Sequence, residues 1–447
     1  MKMIKTITVL LCSIFAGNYL YAQQVLTLQE VVKFALENKA EAKKSRLELE
    51  NAQYQIDEVR AGALPQITGA GTLTYNPMLQ QSALPGELLG RPGETIMVAF
   101  GQKWQSNATL TVNQKIFDQS LFTGLKAART TKEFYVINNQ LTEEQLIEKV
   151  ANAYYEVFQS TLQLQTIQNN LDNTTKTHKV ISGLVEAGLA KKIDLDRISV
   201  NINNLEAQKQ QVINSNQLRE NALKFAIGMD ISQDIELPKE TFDVNSKILQ
   251  TESNLSNRTE VLLLQKQTEL LDLNKKSIVA GYYPSLSFTG NLGYLGMGDT
   301  FPIFSSNSGV QWAGFSGLGL NLSIPIFNGG ATKSRVNQAN IQIRQLQVDM
   351  EDTKLGLNLA HENAKSQIKN SLLTINSNRL NVNLAKEVLD NTENNYRNGL
   401  ATLTELLDAE TAYAEAQNNL NTSLLNYKVA EVQLIKSNGN LKSLVSE

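Results

Sequence analysis

The sequence predicts an α+β membrane protein built from two tandem structural repeats, each with two amphipathic strands and two long helices. Three observations carry this prediction: the chain repeats its own motifs, it contains long stretches without proline, and it has four strand patterns of period two. The chain has 447 residues with 8 prolines and a formal net charge of −3. This charge provides no basic surface for nucleic acid, because binding DNA or RNA needs many cations to neutralise phosphates.

The first 22 residues form a predicted secretory signal peptide. Lys2 and Lys5 precede an apolar run over 7–16, and Ala22 offers a small residue for cleavage. The run is too short for a helix that spans a membrane. The only cysteine, Cys12, falls inside this segment, so the predicted mature chain has no disulfide and no thiol chemistry. Any membrane span in the mature chain must consist of strands, since no later stretch is apolar enough for a helix.

Three pairs of matching segments define the two repeats. The matches, first repeat before second, are AGALPQIT (61–68) with AGYYPSLS (280–287), KIFD (115–118) with PIFNGG (325–330), and EAGLAKKIDLDR (186–197) with RNGLATLTELLD (397–408). The predicted organisation is therefore repeat 1 at 23–227, an inter-repeat connector at 228–257, and repeat 2 with the C-terminal segment at 258–447. Each repeat follows the order helix, strand, strand, long helix, glycine turn, helix.

Long helices are predicted before both glycine turns. The segment from Leu121 to Gly183 contains no proline, and the segment from Thr332 to Asn395 repeats this pattern. Apolar residues at alternating steps of three and four form a heptad seam, which is typical of coiled coils. In the first repeat the predicted seam comprises Ile147, Val150, Tyr154, Val157, Thr161, Leu164, Gln168 and Leu171. In the second it is weaker and comprises Ile368, Leu372 and Ile375, followed by the polar Arg379.

Four segments alternate apolar and uncharged polar side chains with period two. They are QITGAGTLTYN (66–76), NATLTVN (107–113), SLSFTGNLGY (285–294) and GLGLNLSIPIF (317–327). A tilted strand of about ten residues can cross a bilayer with its apolar face toward lipid. The alternative for the same pattern is a soluble sheet packed on one side. The segments between paired strands, 77–104 and 296–312, are predicted to be exposed loops.

Four strands are too few to close a membrane barrel, for which about eight is the small end. Open strand edges cannot lie in lipid, because their backbone groups would have no hydrogen-bond partner. Several copies of the chain must therefore combine their strands if the sheet is embedded. The residues alone allow two copies, three or more.

The sequence contains no pattern that predicts a catalytic or metal-binding site. The two histidines, His178 and His361, lie in polar helical patterns without a second ligand one turn away, and both are predicted to be solvated. Phosphate-binding loops, nucleophile elbows and zinc-protease motifs do not occur. We therefore expect neither an enzyme nor a bound cofactor.

The repeat order, the paired amphipathic strands and the two glycine turns resemble the TolC-like outer-membrane factor family, the outer membrane efflux proteins. The resemblance covers essentially all of the predicted mature chain. It implies a homotrimer with four strands per chain in a 12-stranded outer-membrane β-barrel, continued by a long α-helical coiled-coil barrel in the periplasm. It also implies a passive exit duct that serves efflux or type I secretion together with a periplasmic adaptor and an inner-membrane transporter. A soluble periplasmic coiled-coil scaffold is the alternative function.

The resemblance further implies roles for residues at the two turns. In the family, an acidic ring just after the second-repeat turn narrows the periplasmic end, and Glu405 and Asp408 match its positions. The family's latch joins a tyrosine, an arginine and an acid. Tyr396 matches the tyrosine and Asp194 the acid, while Ala401 stands where the arginine is expected. This departure leaves a Tyr396–Asp194 hydrogen bond as the expected form of the latch.

The residues at the turns also have local structural roles. Gly188 and Gly399 are predicted to end helices in a left-handed conformation. Thr402 and Glu405 have the spacing of a capping box, so the sequence allows either a capping role or an aperture role for Glu405. Asp408 lies beyond capping reach, which favours the aperture role. A solvated, partner-facing tip is predicted for the cations of the first turn, Lys191, Lys192 and Arg197.

Overall fold

The computed structural model describes residues 26–238, 244, 255–302 and 309–446. The predicted signal peptide and part of the predicted connector lie outside the described residues. The helices are α1 (Leu28–Asn38), α2 (Ala40–Ala61), α3 (Gln119–Glu186), α4 (Lys192–Ile227), α5 (Thr259–Ala280), α6 (Ala331–Arg397), α7 (Leu403–Ser437) and α8 (Ser443–Ser446). The strands are β1 (Gln66–Tyr75), β2 (Gln81–Pro85), β3 (Thr95–Ala99), β4 (Trp104–Phe117), β5 (Ser285–Gly298) and β6 (Val310–Ser323).

The two longest helices confirm the prediction from the proline-free segments. Helix α3 has 68 residues and α6 has 67, and each ends just before its glycine turn. Without proline, the backbone hydrogen-bond ladder continues through the whole segment. None of the described helices has a stretch long and apolar enough to cross a membrane.

The chain divides into two compact units. The helical unit comprises the described parts of Met1–Glu48, Val136–Leu263 and Met350–Glu447. The sheet unit comprises the described parts of Leu49–Tyr135 and Leu264–Asp349. Each unit therefore draws on both halves of the chain.

The sheet unit is organised around a four-stranded antiparallel sheet in the order β1-β4-β5-β6. Strand β1 pairs with β4 from Gln66 opposite Asn113 to Tyr75 opposite Trp104. Strand β5 then pairs with β4 on one side and with β6 on the other. The central pair therefore joins one strand of each predicted repeat, and β1 and β6 form the edges of the sheet within the chain.

The two faces of this sheet differ as the period-two patterns predict. One face is apolar and much of it is exposed in the single chain, with Leu318 at 82% and Leu320 at 69% exposed. Its side chains on the two later strands are Leu286, Phe288, Leu292, Tyr294, Leu318, Leu320 and Leu322. The opposite face carries mainly uncharged polar side chains, including Thr68, Thr72, Asn107, Thr109, Thr111, Ser287, Thr289 and Asn291. An apolar face of this size requires a non-aqueous environment or a protein partner.

The strand boundaries differ from the prediction at both ends of the second hairpin. Strand β5 continues to Gly298 and β6 begins at Val310, so the connecting segment is shorter than the predicted loop 296–312. Strand β6 ends at Ser323, and the prediction that Ile324 and Ile326 belong to it is wrong. Pro325 explains this end, because proline has no backbone N–H to pair with a neighbouring strand.

The predicted exposed loop 77–104 contains a hairpin of its own, which the sequence analysis missed. Strands β2 and β3 pair in register from Gln81 opposite Ala99 to Pro85 opposite Thr95. The connection holds a 3₁₀ turn (Gly86–Leu89), and the Gly86 N–H donates to the Glu94 carbonyl at 2.7 Å.

The core of the helical unit confirms the first half of the predicted α3 seam. The buried side chains on this helix include Ile147, Val150, Tyr154 and Val157. They belong to a cluster to which α1 contributes Val31 and Val32, and α4 contributes Leu223 and Ile227. Beyond Val157 the predicted seam is wrong, because Thr161 is exposed and Leu164, Gln168 and Leu171 are only half-buried.

The buried positions instead continue along α3 as Ser160, Ile167, Thr174 and Ile181, seven residues apart. Helix α6 behaves in the same way. Its Ile368 and Ile375 are buried as predicted, but Leu372 is half-buried and Arg379 is exposed. The α6 seam passes through Ser371 and Asn378, and the Asn378 Nδ2 donates to the Ser423 Oγ at 2.6 Å. Small polar residues within the seams explain the errors, since the apolar pattern alone assigns them to the surface.

His361 contradicts the prediction of two solvated histidines. It is 7% exposed, and its Nδ1 forms a hydrogen bond with the Ser437 Oγ at 2.9 Å. Burial lowers the pKa of His361, the positive charges of Lys365 and Arg258 lower it further, and Glu362 partly opposes them. The other histidine, His178, is half-buried on α3.

The burial of His361 predicts a pH-dependent contribution to stability. Because its folded pKa lies below the ordinary value of 6.5, the folded state disfavours the imidazolium. The contribution of neutral His361 to the free energy of unfolding should be complete above pH 6.5 and should decrease as the pH falls below that value. We expect His361→Gln to reduce the difference in melting temperature between neutral and mildly acidic detergent solution. His178→Gln is the matched control, and an unchanged pH dependence in His361→Gln would contradict the prediction.

Candidate functional site

The two glycine turns have the predicted left-handed geometry. The φ angle is 72° at both Gly188 and Gly399. The Leu189 N–H donates to the Leu184 carbonyl at 2.7 Å, and the Leu400 N–H donates to the Asn395 carbonyl at 2.8 Å. These bonds satisfy carbonyls at the helix C-termini that would otherwise lack a partner. The two turns therefore share one backbone architecture.

The start of α7 confirms the predicted capping box. The Glu405 carboxylate accepts hydrogen bonds from the Thr402 N–H at 2.7 Å and from the Thr402 Oγ1 at 2.9 Å. The Glu405 N–H donates back to the Thr402 Oγ1 at 3.3 Å. These bonds with Thr402 lower the pKa of Glu405, so its carboxylate stays ionised at neutral pH. Glu405 is nevertheless exposed, which leaves its charge available to solvent.

The first-repeat turn lacks this cap. Lys191 is the N-cap residue of α4 and makes no side-chain capping bond. Asp194 lies in the first helical turn, where its negative charge complements the helix dipole. On α7, Asp408 lies three residues after Glu405 and is also exposed, so the two carboxylates share one side of the helix. The matched stretches 188–197 and 399–408 each contain two acids, but the first also has three cations and the second has none, so the acidic charge of the second turn is not offset locally.

Tyr396 and Asp194 lie near each other, but not as a hydrogen-bonded pair. Tyr396 packs at the edge of a small apolar cluster of Ile181, Ile198 and Leu403. Burial raises the pKa of Tyr396, and the negative charge of Asp194 raises it further. In the part of the chain that the structure describes, no hydrogen bond joins the two side chains. The apolar cluster therefore holds the tyrosine, and Ala401 adds no charge to it.

Lys191, Lys192 and Arg197 are all exposed, in agreement with a solvated tip, and Arg197 also makes a contact within the chain. Its Nη1 donates to the Thr404 Oγ1 at 2.7 Å, which joins the first turn of α7 to α4. Sequence reasoning missed this contact because the two residues are separated by about half the chain. Position 401 of the second repeat has no arginine, but Arg197 of the first repeat contacts the second turn.

A buried carboxyl group on α7 was also missed. Glu410 is 6% exposed and accepts a hydrogen bond from the Thr174 Oγ1 of α3 at 2.9 Å. Burial raises its pKa, the Thr174 hydrogen bond partly opposes this, and the negative charge of Glu393 raises the pKa further. The sequence contained a signal, since Glu410 continues the helical spacing of the buried Leu403 and Leu406.

The titratable residues do not assemble into a metal centre. Among the described residues, no group of three or more histidine, aspartate or glutamate side chains could hold a metal ion. The acids of the turns are instead distributed between a cap, a helix surface and a buried seam. The turns therefore carry fixed negative charge.

Comparison with known proteins identifies relatives over nearly the whole chain. The family model described as outer membrane efflux protein matches residues 31–229 and 253–440. The chain is 24% identical to the outer membrane protein TolC of Salmonella enteritidis, over 99% of this chain and 87% of that protein. It is similar in structure to the outer membrane protein VceC of Vibrio cholerae, with a TM-score of 0.71 and 19% identity. The match covers 92% of this chain and 96% of that protein. It is also similar to the CmeC outer membrane channel of Campylobacter jejuni, with a TM-score of 0.71, 16% identity, and coverage of 95% and 91%.

Removal of the α7 cap should loosen the start of that helix. Thr402→Ala removes both capping bonds of the side chain, and such a change costs about 1 kcal/mol. We expect faster amide hydrogen exchange over residues 403–406, by several-fold. Thr422→Ala, on the exposed middle of α7, is the control and should leave exchange at the turn unchanged. Equal exchange in Thr402→Ala and the parent protein would contradict the capping role.

Neutralising the buried carboxyl group should stabilise the protein at neutral pH. Glu410→Gln retains the acceptor for Thr174 and removes a charge that the folded state disfavours. Because the folded pKa is above the ordinary value of 4.5, the penalty of ionisation grows as the pH rises above that value. We expect a higher melting temperature for the variant at pH 7 and none of this gain well below pH 4.5. Glu415→Gln, on the exposed side of α7, is the control, and a destabilised Glu410→Gln protein at neutral pH would contradict the prediction.

Proposed function

Because this chain belongs to the outer membrane efflux protein family, we propose that it forms the outer-membrane exit duct of a tripartite export system. Family membership assigns the protein to the outer membrane, with a part that extends into the periplasm, and argues against the soluble scaffold. In the proposed system, an inner-membrane transporter and a periplasmic adaptor deliver the cargo. The duct then conducts it passively, in efflux or in type I secretion.

The observation that carries this proposal is the four-stranded sheet with one exposed apolar face and one polar face. Its edges, β1 and β6, have no partner strand among the described residues of the chain. In a bilayer such edges must pair with other copies, because lipid offers no hydrogen bonds. Three copies would supply twelve strands and enclose a lumen lined by the polar face. This supports the proposed homotrimer.

The helical unit supports the periplasmic part of the proposal. Long helices with heptad seams are suited to a coiled-coil barrel, and the two glycine turns would form its tips. The tips expose Leu189 at 77% and Leu400 at 79%, which gives them an apolar surface for the adaptor. We propose no catalytic step, since the site provides charge and shape only.

The acids of the second turn are proposed to narrow the periplasmic opening. Three copies would bring the Glu405 and Asp408 carboxylates of each chain around one axis. Fixed anionic charge at a constriction attracts cations and repels anions. Glu405 would then have two roles, because the capping bonds leave its carboxylate exposed and ionised.

Electrical recordings in planar bilayers test both levels of the proposal. We expect the wild-type protein to insert, conduct and prefer potassium over chloride. The double variant Glu405→Gln, Asp408→Asn should conduct with a permeability ratio closer to unity. Glutamine can still complete the capping box, so this variant isolates the charge from the cap.

The control variant is Glu206→Gln, Asp234→Asn, which removes two exposed carboxylates elsewhere in the helical unit. It should retain the wild-type selectivity. A wild-type protein that remains a soluble monomer would contradict the duct. Unchanged selectivity in the Glu405→Gln, Asp408→Asn variant would contradict only the aperture.

A further inference from the structure

A groove lies between α3 and α5 in the sheet unit, close to the end of the sheet. It consists of two adjoining cavities of about 350 and 210 Å³, which share Phe122 and Lys126. We call it the cationic groove and define it by Phe122, Leu125, Lys126, Arg129, Leu273 and Lys276. Helix α3 begins two residues after β4 ends, so Arg129 is within roughly 15 Å of that end along the helix axis.

The groove has positive charge that the chain does not neutralise. Lys126 and Arg129 are exposed, and neither forms an ion pair with any acid in the ranges the structure describes. The two glutamates at the far end of the first cavity, Glu133 and Glu269, are both bound by Lys266, at 2.6 and 3.0 Å. Lys126 and Arg129 therefore remain available to an anion, whereas the two glutamates share one lysine and Lys276 is paired with Asp272 at 2.6 Å.

The apolar face of the sheet continues into this groove. The register between β4 and β5 shifts between Lys115 and Phe117, so that Phe117 stands opposite Leu286. Leu286 belongs to the apolar face, and directly opposite residues of paired strands share a face. The Phe117 ring lies 6.2 Å from the Phe122 ring, centroid to centroid. An apolar path therefore connects the sheet to the cations of the groove.

We propose that the cationic groove binds the phosphate headgroup of an anionic phospholipid from the periplasmic leaflet. This inference rests on the proposed function, in which the apolar face is embedded in the outer membrane and the helices begin at its periplasmic surface. The acyl chains lie along the apolar face past Phe117 and Phe122. Lys126 and Arg129 contact the phosphate. A groove that is apolar at one end and cationic at the other matches such an amphiphile by both charge and polarity.

The test is native mass spectrometry of the full-length protein in mild detergent, with phosphatidylglycerol or phosphatidylcholine added. The wild-type protein should retain phosphatidylglycerol in preference to the zwitterionic lipid. Lys126→Gln, Arg129→Gln should bind phosphatidylglycerol about twenty-five-fold more weakly, since each cation near an anionic lipid contributes roughly fivefold. The control Lys369→Gln, Lys386→Gln removes two exposed cations of α6 in the helical unit and should bind like the wild type.

The possible outcomes separate this inference from the proposed function. Equal phosphatidylglycerol binding by both double variants and the wild type overturns the groove assignment. Displacement of the lipid by excess inorganic phosphate also overturns it, because the site would then recognise free phosphate. If the wild-type protein conducts in bilayers but shows no preference for phosphatidylglycerol in the mass spectra, the proposed duct stands and only the groove assignment is rejected. A wild-type chain that forms no channels overturns the duct and this inference together.

Discussion

Backbone hydrogen bonding at the edges of the four-stranded sheet is the constraint on which the rest of the structure depends. Strands β1 and β6 each present a row of N–H and C=O groups without a partner strand in the described chain. Water could satisfy these groups, but a bilayer cannot. The exposed leucines of the apolar face make water the unfavourable choice. Closure of the sheet by further copies of the chain would remove the first cost, and a bilayer around the apolar face would remove the second, so the sheet supports the oligomer of the proposed function.

Hydrogen bonding also explains the polar residues in the helical seams. Thr174 contacts Glu410, Asn378 contacts Ser423, and His361 contacts Ser437, each by a hydrogen bond between helices. Such pairs add less stability than packed leucines would, but they are satisfied in only one register of the two helices. Two long heptad helices can shift past each other by seven residues with little loss of apolar burial. The polar pairs oppose that slip and fix the height of each turn relative to its neighbour.

The sequence predicted most of the sheet because each strand carries its own signal. Strict alternation assigns Thr109 and Leu110 to opposite faces whatever the strand pairs with, and the structure agrees. The helices were predictable for a similar local reason, the absence of proline. The burial of Ser371 and Glu410 was not, because it depends on a partner helix far away in sequence. Arg197 is a similar case, since its partner Thr404 belongs to the other repeat.

The capping box at the second turn also determines how an opening at the helix tips could change. The carboxylate of Glu405 is bonded to both the backbone and the side chain of Thr402, so its position is fixed relative to the first turn of α7. The charge cannot swing away from a neighbouring copy by a simple rotamer change without breaking the cap. Such a break costs about 1 kcal/mol, so the cap favours movement of the charge together with the first turn of α7. Arg197 of α4 donates a hydrogen bond to Thr404 in that same first turn. The contact that holds α7 to α4 is therefore next to the charged Glu405. In the proposed duct, displacement of α7 from α4 would then carry the Glu405 charge with the helix, whereas Asp408, outside the cap, could also move by a side-chain rotation.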